Sequence, residues 1–225
     1  MAVAEPPPKH DFKVIVGGDE GSQKSYTVHK DVLVKSSGFF QKACDKKWEE
    51  GKTKTITLPE ANPEFFDIYL QILYTGQVVI ADDDDLSSIP GNDPKAYESI
   101  DRINFEIVGT YLLADMLLDV PSKNSIVDYF LHIANIAKKM PPAEYISHLF
   151  ESTLPKSPFR RLLVDLAASK SNPEDFRKVG YKQCNEFLVE VSYCLMKMAQ
   201  KKQGSSVEES ACAYHEHDEE HPKCT

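Results

Sequence analysis

The chain has 225 residues, of which 41% are apolar, 27% charged and 10% aromatic, a composition typical of folded globular proteins and not of disordered or fibrous ones. Its formal net charge of −9 argues against a nucleic-acid partner, because such binders present a positive face to phosphates. The chain has no apolar run of membrane-spanning length, and its start lacks the apolar core of a secretory signal. We therefore expect no membrane partner, a location in the cytoplasm or the nucleus, and reduced cysteines.

The N-terminal third predicts a small sheet with short helices. Residues 12–18 and 25–29, FKVIVGG and SYTVH, read as two strands of a hairpin around a glycine-containing turn. A third strand is expected at residues 53–58, where Ile56 and Leu58 alternate onto one face. Between the hairpin and this strand, helical spacing breaks at residues 36–38, Ser-Ser-Gly, which predicts two short helices.

Helical patterns fill most of the remaining chain. Asn62 and Pro63 suit the N-cap and first position of a helix that ends at Gly76. The acidic segment 81–99 has no period and predicts an exposed loop. Helices are then expected at about 102–118, from 121 to 137, and in several segments that continue to about 202.

Catalytic chemistry is not indicated by the motifs. The glycines of residues 17–21 belong to a strand-to-strand turn, and lysine does not directly follow the last of them, as a phosphate loop requires. His29 and Cys44 lack a recognisable base or nucleophile partner. We expect no catalytic residue, no cofactor and no small-molecule substrate, so the protein is predicted not to be an enzyme.

The C-terminal tail concentrates metal-binding residue types. Cysteines and histidines occur within thirteen residues with a spacing of C-x2-H-x-H-x3-H-x2-C, at Cys212, His215, His217, His221 and Cys224. Together with Glu216 and Asp218 they could hold a borderline metal such as zinc. This spacing matches no familiar zinc-finger pattern, and apolar residues to build a fold around a metal are lacking. We therefore predict a disordered tail with no resident metal, and metal binding stays the alternative.

The order of these elements and the residues at their junctions resemble a BTB/POZ domain. The resemblance covers residues 9–138 and includes an aspartate that opens a strand, an aromatic-x-x-His-basic step, and a Pro-x-x-Phe helix closing on Tyr-Thr-Gly. The matching residues are Asp11, Tyr26 to Lys30, Val32-Leu33, Ser37, Phe39-Phe40, Pro63 to Phe66, Tyr74 to Gly76, and Ala114-Asp115. The resemblance implies an α+β fold, in which a small β-sheet is covered by a cluster of short α-helices.

Four regions follow from this resemblance. We expect a disordered N-terminus at 1–8, a BTB/POZ domain at 9–138 that contains the acidic loop 81–99, an all-α extension at 139–203, and a disordered His/Cys/acidic tail at 204–225. The extension looks like that of the short, single-module BTB proteins found in fungi. A second recognition module is not evident, so the target of the protein stays open.

The resemblance also implies a protein-protein interaction module. Many BTB proteins dock on a cullin scaffold as substrate adaptors of a ubiquitin ligase, whereas others self-associate or hold transcriptional partners. Cullin binders of the family carry a hydrophobic-x-acidic motif after the second helix, and here Trp48, Glu49 and Glu50 occupy that position. A large aromatic beside lysines and acids suits a docking surface. The alternative is that Trp48 folds back over Val32, Leu33, Phe39 and Phe40 and completes the local core.

The expected assembly departs from the family. BTB dimers often exchange an N-terminal segment, but only ten residues precede Asp11 and they include Pro6, Pro7 and Pro8, which preclude a regular helix. We expect a monomer or a weaker dimer. In the family the counterparts of Asp11 and Lys30 line a charged pocket, and here we expect at most a local ion pair between them.

Overall fold

The computed structural model describes residues 10–18, 21, 23–80, 94–137, 140–171, 184–201, 211–217, 221 and 224. The described residues group into two compact units. The first is drawn from Met1–Val79 and Gly109–Ser125, and the second from Ile80–Val108 and Ile126–Thr225. The predicted loop residues 82–85, the N-terminus 1–8 and the whole segment 202–210 lie outside the described residues.

The first unit contains a three-stranded sheet. Strands β1 (Asp11–Val16) and β2 (Lys24–His29) form the predicted antiparallel hairpin. Strand β3 (Thr55–Leu58) pairs with β1 in parallel, which gives the strand order β2-β1-β3. The buried side of β1 consists of alternate apolar residues, at Phe12, Val14 and Val16, as the two-residue period of a strand requires.

The first unit also contains four helices within residues 30–75. They are α1 (Lys30–Leu33), α2 (Gly38–Ala43), α3 (Glu49–Thr53) and α4 (Pro63–Thr75). The predicted signals of α4 are confirmed, since the Asn62 side chain accepts a 2.8 Å hydrogen bond from the Glu64 amide and Gly76 ends the helix at φ 74°. Helix α3 was not predicted. It occupies the start of the expected third strand, so β3 begins only at Thr55.

Helices α5 (Pro94–Met116) and α6 (Val120–Ala137) each contribute residues to both units. Residues 94–99 were expected in the acidic loop, but they form the first turns of α5. Proline is well tolerated at the first helical position because its missing amide donor has no intrahelical partner there. The loop prediction is therefore wrong for residues 94–99, and residues 81–93 lie outside the described part of the chain.

The second unit continues with α7 (Ala143–Ser152), α8 (Pro158–Lys170) and α9 (Asn185–Lys201). Its core includes two edge-to-face aromatic pairs, Phe130 with Phe159 and Phe150 with Phe187. Among the described helices, none combines the length and apolar character needed to cross a membrane. The α+β architecture with a helical extension agrees with the sequence prediction.

Part of the tail differs from the expected disorder. Residues Ala211–Tyr214 form a 3₁₀-helix, and Tyr214 is only 1% exposed. The Tyr214 hydroxyl donates a 3.2 Å hydrogen bond to Asp165 of α8, and the Arg161 guanidinium lies 5.1 Å from the centre of its ring. The tail's polar composition concealed this contact, because among the tail residues with a described burial only Tyr214 is buried.

Candidate functional site

A short turn after α2 positions the predicted docking residue Trp48. The Trp48 amide donates a 3.0 Å hydrogen bond to the Asp45 carbonyl, and the Trp48 carbonyl accepts one of 3.2 Å from Lys52. Trp48 is the N-cap residue of α3 and has extended backbone dihedrals, φ −96° and ψ 159°. Both backbone polar groups of Trp48 are therefore hydrogen-bonded, which fixes the point at which the side chain leaves the main chain.

Gly51 fixes α3 against that turn. A Cβ atom at Gly51 would lie 2.1 Å from the Asp45 carbonyl oxygen, far inside a permitted contact. Gly51 is buried, so the helix backbone itself packs against the turn that carries Trp48. The glycine after the acidic pair thus has a packing role, which the sequence pattern did not reveal.

Trp48 lies on an apolar groove in the first unit. The groove has a volume of about 340 Å³ and is lined by Phe39, Lys42, Ala43, Trp48, Glu50, Ile56, Thr57 and Leu118. Trp48 is 59% exposed and Leu118 is 57% exposed. The exposed fraction of Trp48 does not agree with the alternative in which this side chain completes the local core.

The two acidic residues of the motif differ in their surroundings. Glu50 lines the groove together with Trp48. Glu49 forms an exposed ion pair with Lys52, with 3.5 Å between their charged atoms, and it does not line the groove. Trp48 and Glu50, the hydrophobic and acidic positions of the motif, therefore lie on one surface. Glu49, the residue between them, lies outside the groove. We call the surface formed by Trp48, Glu50, Phe39 and Leu118 the docking surface.

Leu118 was not identified from the sequence. It follows α5 with a left-handed backbone, φ 53°, and its amide donates to the Asp115 carbonyl while the next amide donates to Ala114. These two bonds form the helix-ending motif in which glycine usually occupies the left-handed position. A leucine there is unfavourable, so the fold holds an exposed apolar side chain at a position that favours glycine.

Hydrogen bonds from α2 hold this leucine beside the groove. The Gly38 amide donates a 3.1 Å bond to the Leu118 carbonyl, and the Phe39 amide donates a 3.2 Å bond to Leu117. The Ser37 hydroxyl donates a further bond of 2.6 Å to the Leu117 carbonyl. The docking surface therefore joins two segments that lie about eighty residues apart.

Asp11 has a partner other than the expected Lys30. Asp11 is buried, and its carboxylate lies 2.6 Å from Nδ1 of His29, not in a described ion pair with Lys30. The Lys30 amide donates a 2.9 Å bond to the His10 carbonyl. The local polar contact of Asp11 is therefore formed across the first strand pair, because Asp11 and His29 are partners in the hairpin register.

Cys44 and His29, the two residues considered for chemistry, lie in different surroundings. Burial raises the pKa of the Cys44 thiol to about 11, and the nearby Lys30 lowers it by a smaller amount. A thiol with a raised pKa is a poor nucleophile at neutral pH. His29 contacts Asp11, and the described hydrogen bonds include none between His29 and Cys44, the contact that a nucleophile and its base need.

The tail residues converge in the second unit. The ligand atoms of Cys212, His217 and Cys224 all lie within 4.8 Å of one another. His215 Nδ1 lies 3.1 Å from the Cys224 sulfur. His221 is not part of the three-residue group within the described residues.

Comparison with known proteins assigns the first part of the chain. The family model of the BTB/POZ domain matches residues 8–90, which include all of the sheet, α1 to α4 and the Trp48 motif. No curated protein matches the chain in a sequence search. BTB domains are generally protein-protein interaction modules and not enzymes. The match over residues 8–90, which contain the small sheet and helices α1 to α4, shows a BTB/POZ domain in this part of the chain.

Proposed function

We propose that this protein is a non-enzymatic substrate adaptor that docks on a cullin scaffold of a ubiquitin ligase, in the cytoplasm or the nucleus. The observation that carries the proposal is the exposure of Trp48 on a groove that also contains Glu50. The pair stands in the hydrophobic-x-acidic positions that mark cullin binders among BTB domains. In this proposal the helical extension holds the substrate or enlarges the cullin contact.

The surface has the properties of a binding hot spot. Tryptophan is enriched at such positions because one rigid side chain removes a large apolar area from water. The exposed Leu118 and half-buried Phe39 supply apolar contacts around it. The Glu50 carboxylate can accept hydrogen bonds from partner donors at the edge of the same groove, which favours one orientation of the partner.

The experiment pairs binding with stability. The affinity of the full chain for the N-terminal helical region of a cullin is measured for Trp48→Ala, Glu50→Ala and Glu49→Ala, together with each melting temperature. Trp48→Ala should cost ~2–4 kcal/mol of binding, which is ~30- to 1000-fold. Glu50→Ala should cost ~1–2 kcal/mol. Glu49→Ala, outside the groove, is the matched control and should bind as wild type.

Melting temperatures separate docking from folding. Because Trp48 is already exposed in the free protein, its truncation should move the midpoint by only a few degrees. Absence of measurable binding by the wild-type chain to any cullin would reject the adaptor proposal. Equal affinity of Trp48→Ala and wild type, with both proteins folded, would reject it as well.

One observation favours a second function, self-association as a scaffold. Helix α9 exposes a stripe of large side chains at helical spacing, with Val189 66%, Tyr193 56% and Met196 59% exposed. Two copies could bury this stripe against each other. Sedimentation of the wild type and of Tyr193→Glu tests this function, since a dimer that the substitution abolishes would support it. A monomer at every concentration would exclude it.

A further inference from the structure

The tail residues provide the donor set of a structural zinc site. The Cys212 sulfur lies 3.4 Å from His217 Nε2, and the Cys224 sulfur lies 3.1 Å from His215 Nδ1. With zinc–sulfur and zinc–nitrogen bonds of about 2.3 and 2.05 Å, neighbouring ligands of a tetrahedral site lie about 3.5 Å apart. The measured separations are therefore close to the edges of such a tetrahedron.

The second ring nitrogen of His215 is already oriented. His215 Nε2 lies 2.8 Å from Oδ1 of Asp128, on helix α6, and the His215 side chain is only 9% exposed. An ionised carboxylate only accepts hydrogen bonds, so Nε2 donates this one, and in the neutral ring Nδ1 then has its lone pair available on the side of Cys224. A carboxylate that accepts from the distal nitrogen of a ligating histidine is the usual outer partner in zinc sites.

The helical extension supplies the support that the tail lacks. Tyr214, next to His215, is buried, and its hydroxyl donates to Asp165 of α8. Arg161, also on α8, donates a hydrogen bond to the Ala213 carbonyl. The small number of apolar tail residues is therefore no obstacle to a metal site, because α6 and α8 position the tail from outside.

We propose that Cys212, His217 and Cys224, with His215 as the fourth ligand, bind one Zn²⁺ that fastens the C-terminal tail to the helical extension. Two thiolates and two imidazoles form a four-coordinate set that is typical of structural zinc. Thiolate ligands select against Mg²⁺ and Ca²⁺, which prefer oxygen. Asp128 acts as a positioning residue, since it contacts His215 and not the metal.

The test measures zinc in the full-length protein. The chain is produced with zinc, purified under a thiol-free reductant and analysed for metal content by elemental analysis and intact-complex mass spectrometry. We expect one Zn²⁺ per chain, and Co²⁺ substitution should give a tetrahedral spectrum with thiolate charge transfer. Cys212→Ser and Cys224→Ser should lose the metal, whereas the matched control Cys194→Ser, at a cysteine outside the group, should retain it.

Two histidine variants test the fourth ligand. His215→Ala should weaken zinc binding, and His221→Ala should leave it unchanged. The opposite pattern would overturn the assignment of His215. Asp128→Asn should lower the zinc affinity about 10- to 100-fold, the usual effect of losing an outer-shell partner, without changing the metal-to-protein ratio at saturating zinc.

Removal of the metal and the redox state of the cysteines provide further tests. Removal of zinc by a chelator should speed amide hydrogen exchange at residues 211–217, because the metal holds this segment. A protein whose cysteines are all reduced and that still binds no metal would overturn the proposal. So would a Cys212–Cys224 disulfide that persists under the reductant and excludes zinc.

Discussion

The phenol of Tyr69 donates a 2.8 Å hydrogen bond to Oδ2 of Asp119, and neither residue is exposed. The Ser36 hydroxyl donates a second 2.8 Å bond to the same oxygen, and the Ser122 amide donates to Oδ1 at 3.0 Å. Asp119 therefore joins α4, α6 and the segment before α2. It directly follows Leu118, so this buried network also holds one edge of the docking surface in place.

The network predicts a graded loss of stability. Tyr69→Phe removes one bond to a charged acceptor and should lower the free energy of unfolding by ~1.5–3 kcal/mol. Asp119→Ala leaves three donors without their acceptor, and we expect a loss of at least ~3 kcal/mol. Urea unfolding measures both, with the exposed Asp31→Ala in α1 as control. A loss below ~1 kcal/mol for Asp119→Ala would contradict the network's role.

Stability should fall at alkaline pH. Burial, then the charge of Asp119, raise the pKa of Tyr69 above its ordinary value of 10.0, and burial raises that of Cys44 from 9.0 to about 11. The folded state thus keeps these protons at a pH at which the unfolded state releases them. The stabilising contribution of Cys44 is complete below pH 9.0 and is lost as the pH rises to about 11.

Substitution of Cys44 tests its contribution to this pH dependence. Cys44→Ala should flatten the decline of the unfolding free energy with pH between 9.0 and about 11, even if it lowers the absolute stability by leaving a small cavity. Tyr69→Phe should flatten the decline above pH 10.0 instead. Urea titrations across this range give the slopes. Identical slopes in wild type and Cys44→Ala would show that the thiol does not contribute.

The sequence allowed the locally determined parts of the fold to be predicted. The hairpin, the Asn62 cap and the Gly76 stop depend on neighbouring residues, so their signals lie within a few positions. The groove that Trp48 shares with Leu118, seventy residues later, could not be predicted from the segment around Trp48 alone. The orientation of His215 could likewise not be predicted from its own segment, because its partner Asp128 lies on α6. Helix α3 was missed because its five residues are too few to show a helical period.

Gly51 links the fold to the docking surface. A Cβ atom there would meet the Asp45 carbonyl at 2.1 Å, so Gly51→Ala must displace either α3 or the turn that carries Trp48. We expect a loss of ~1–3 kcal/mol in the free energy of unfolding and weaker cullin binding. Gly21→Ala is the control, since nothing lies within 4 Å of a Cβ at that position. Equal stability of the two variants would show that the α3 backbone does not require this close approach.

A substitution of Leu118 should weaken binding without lowering the stability of the protein. Its left-handed backbone favours asparagine or glycine over leucine, and its side chain is 57% exposed. Leu118→Asn should therefore leave the melting temperature unchanged or raise it, while the loss of apolar contact lowers cullin affinity by ~1–2 kcal/mol, or ~5- to 30-fold. Leu154→Asn, at a leucine that is 80% exposed and lies outside the docking surface, should change neither quantity. A stable Leu118→Asn variant that binds as tightly as wild type would remove Leu118 from the docking surface and leave Trp48 to be judged by its own substitution. A destabilised variant would instead show that the leucine is retained for packing against α2, and that its exposure reflects the helix end and not a partner.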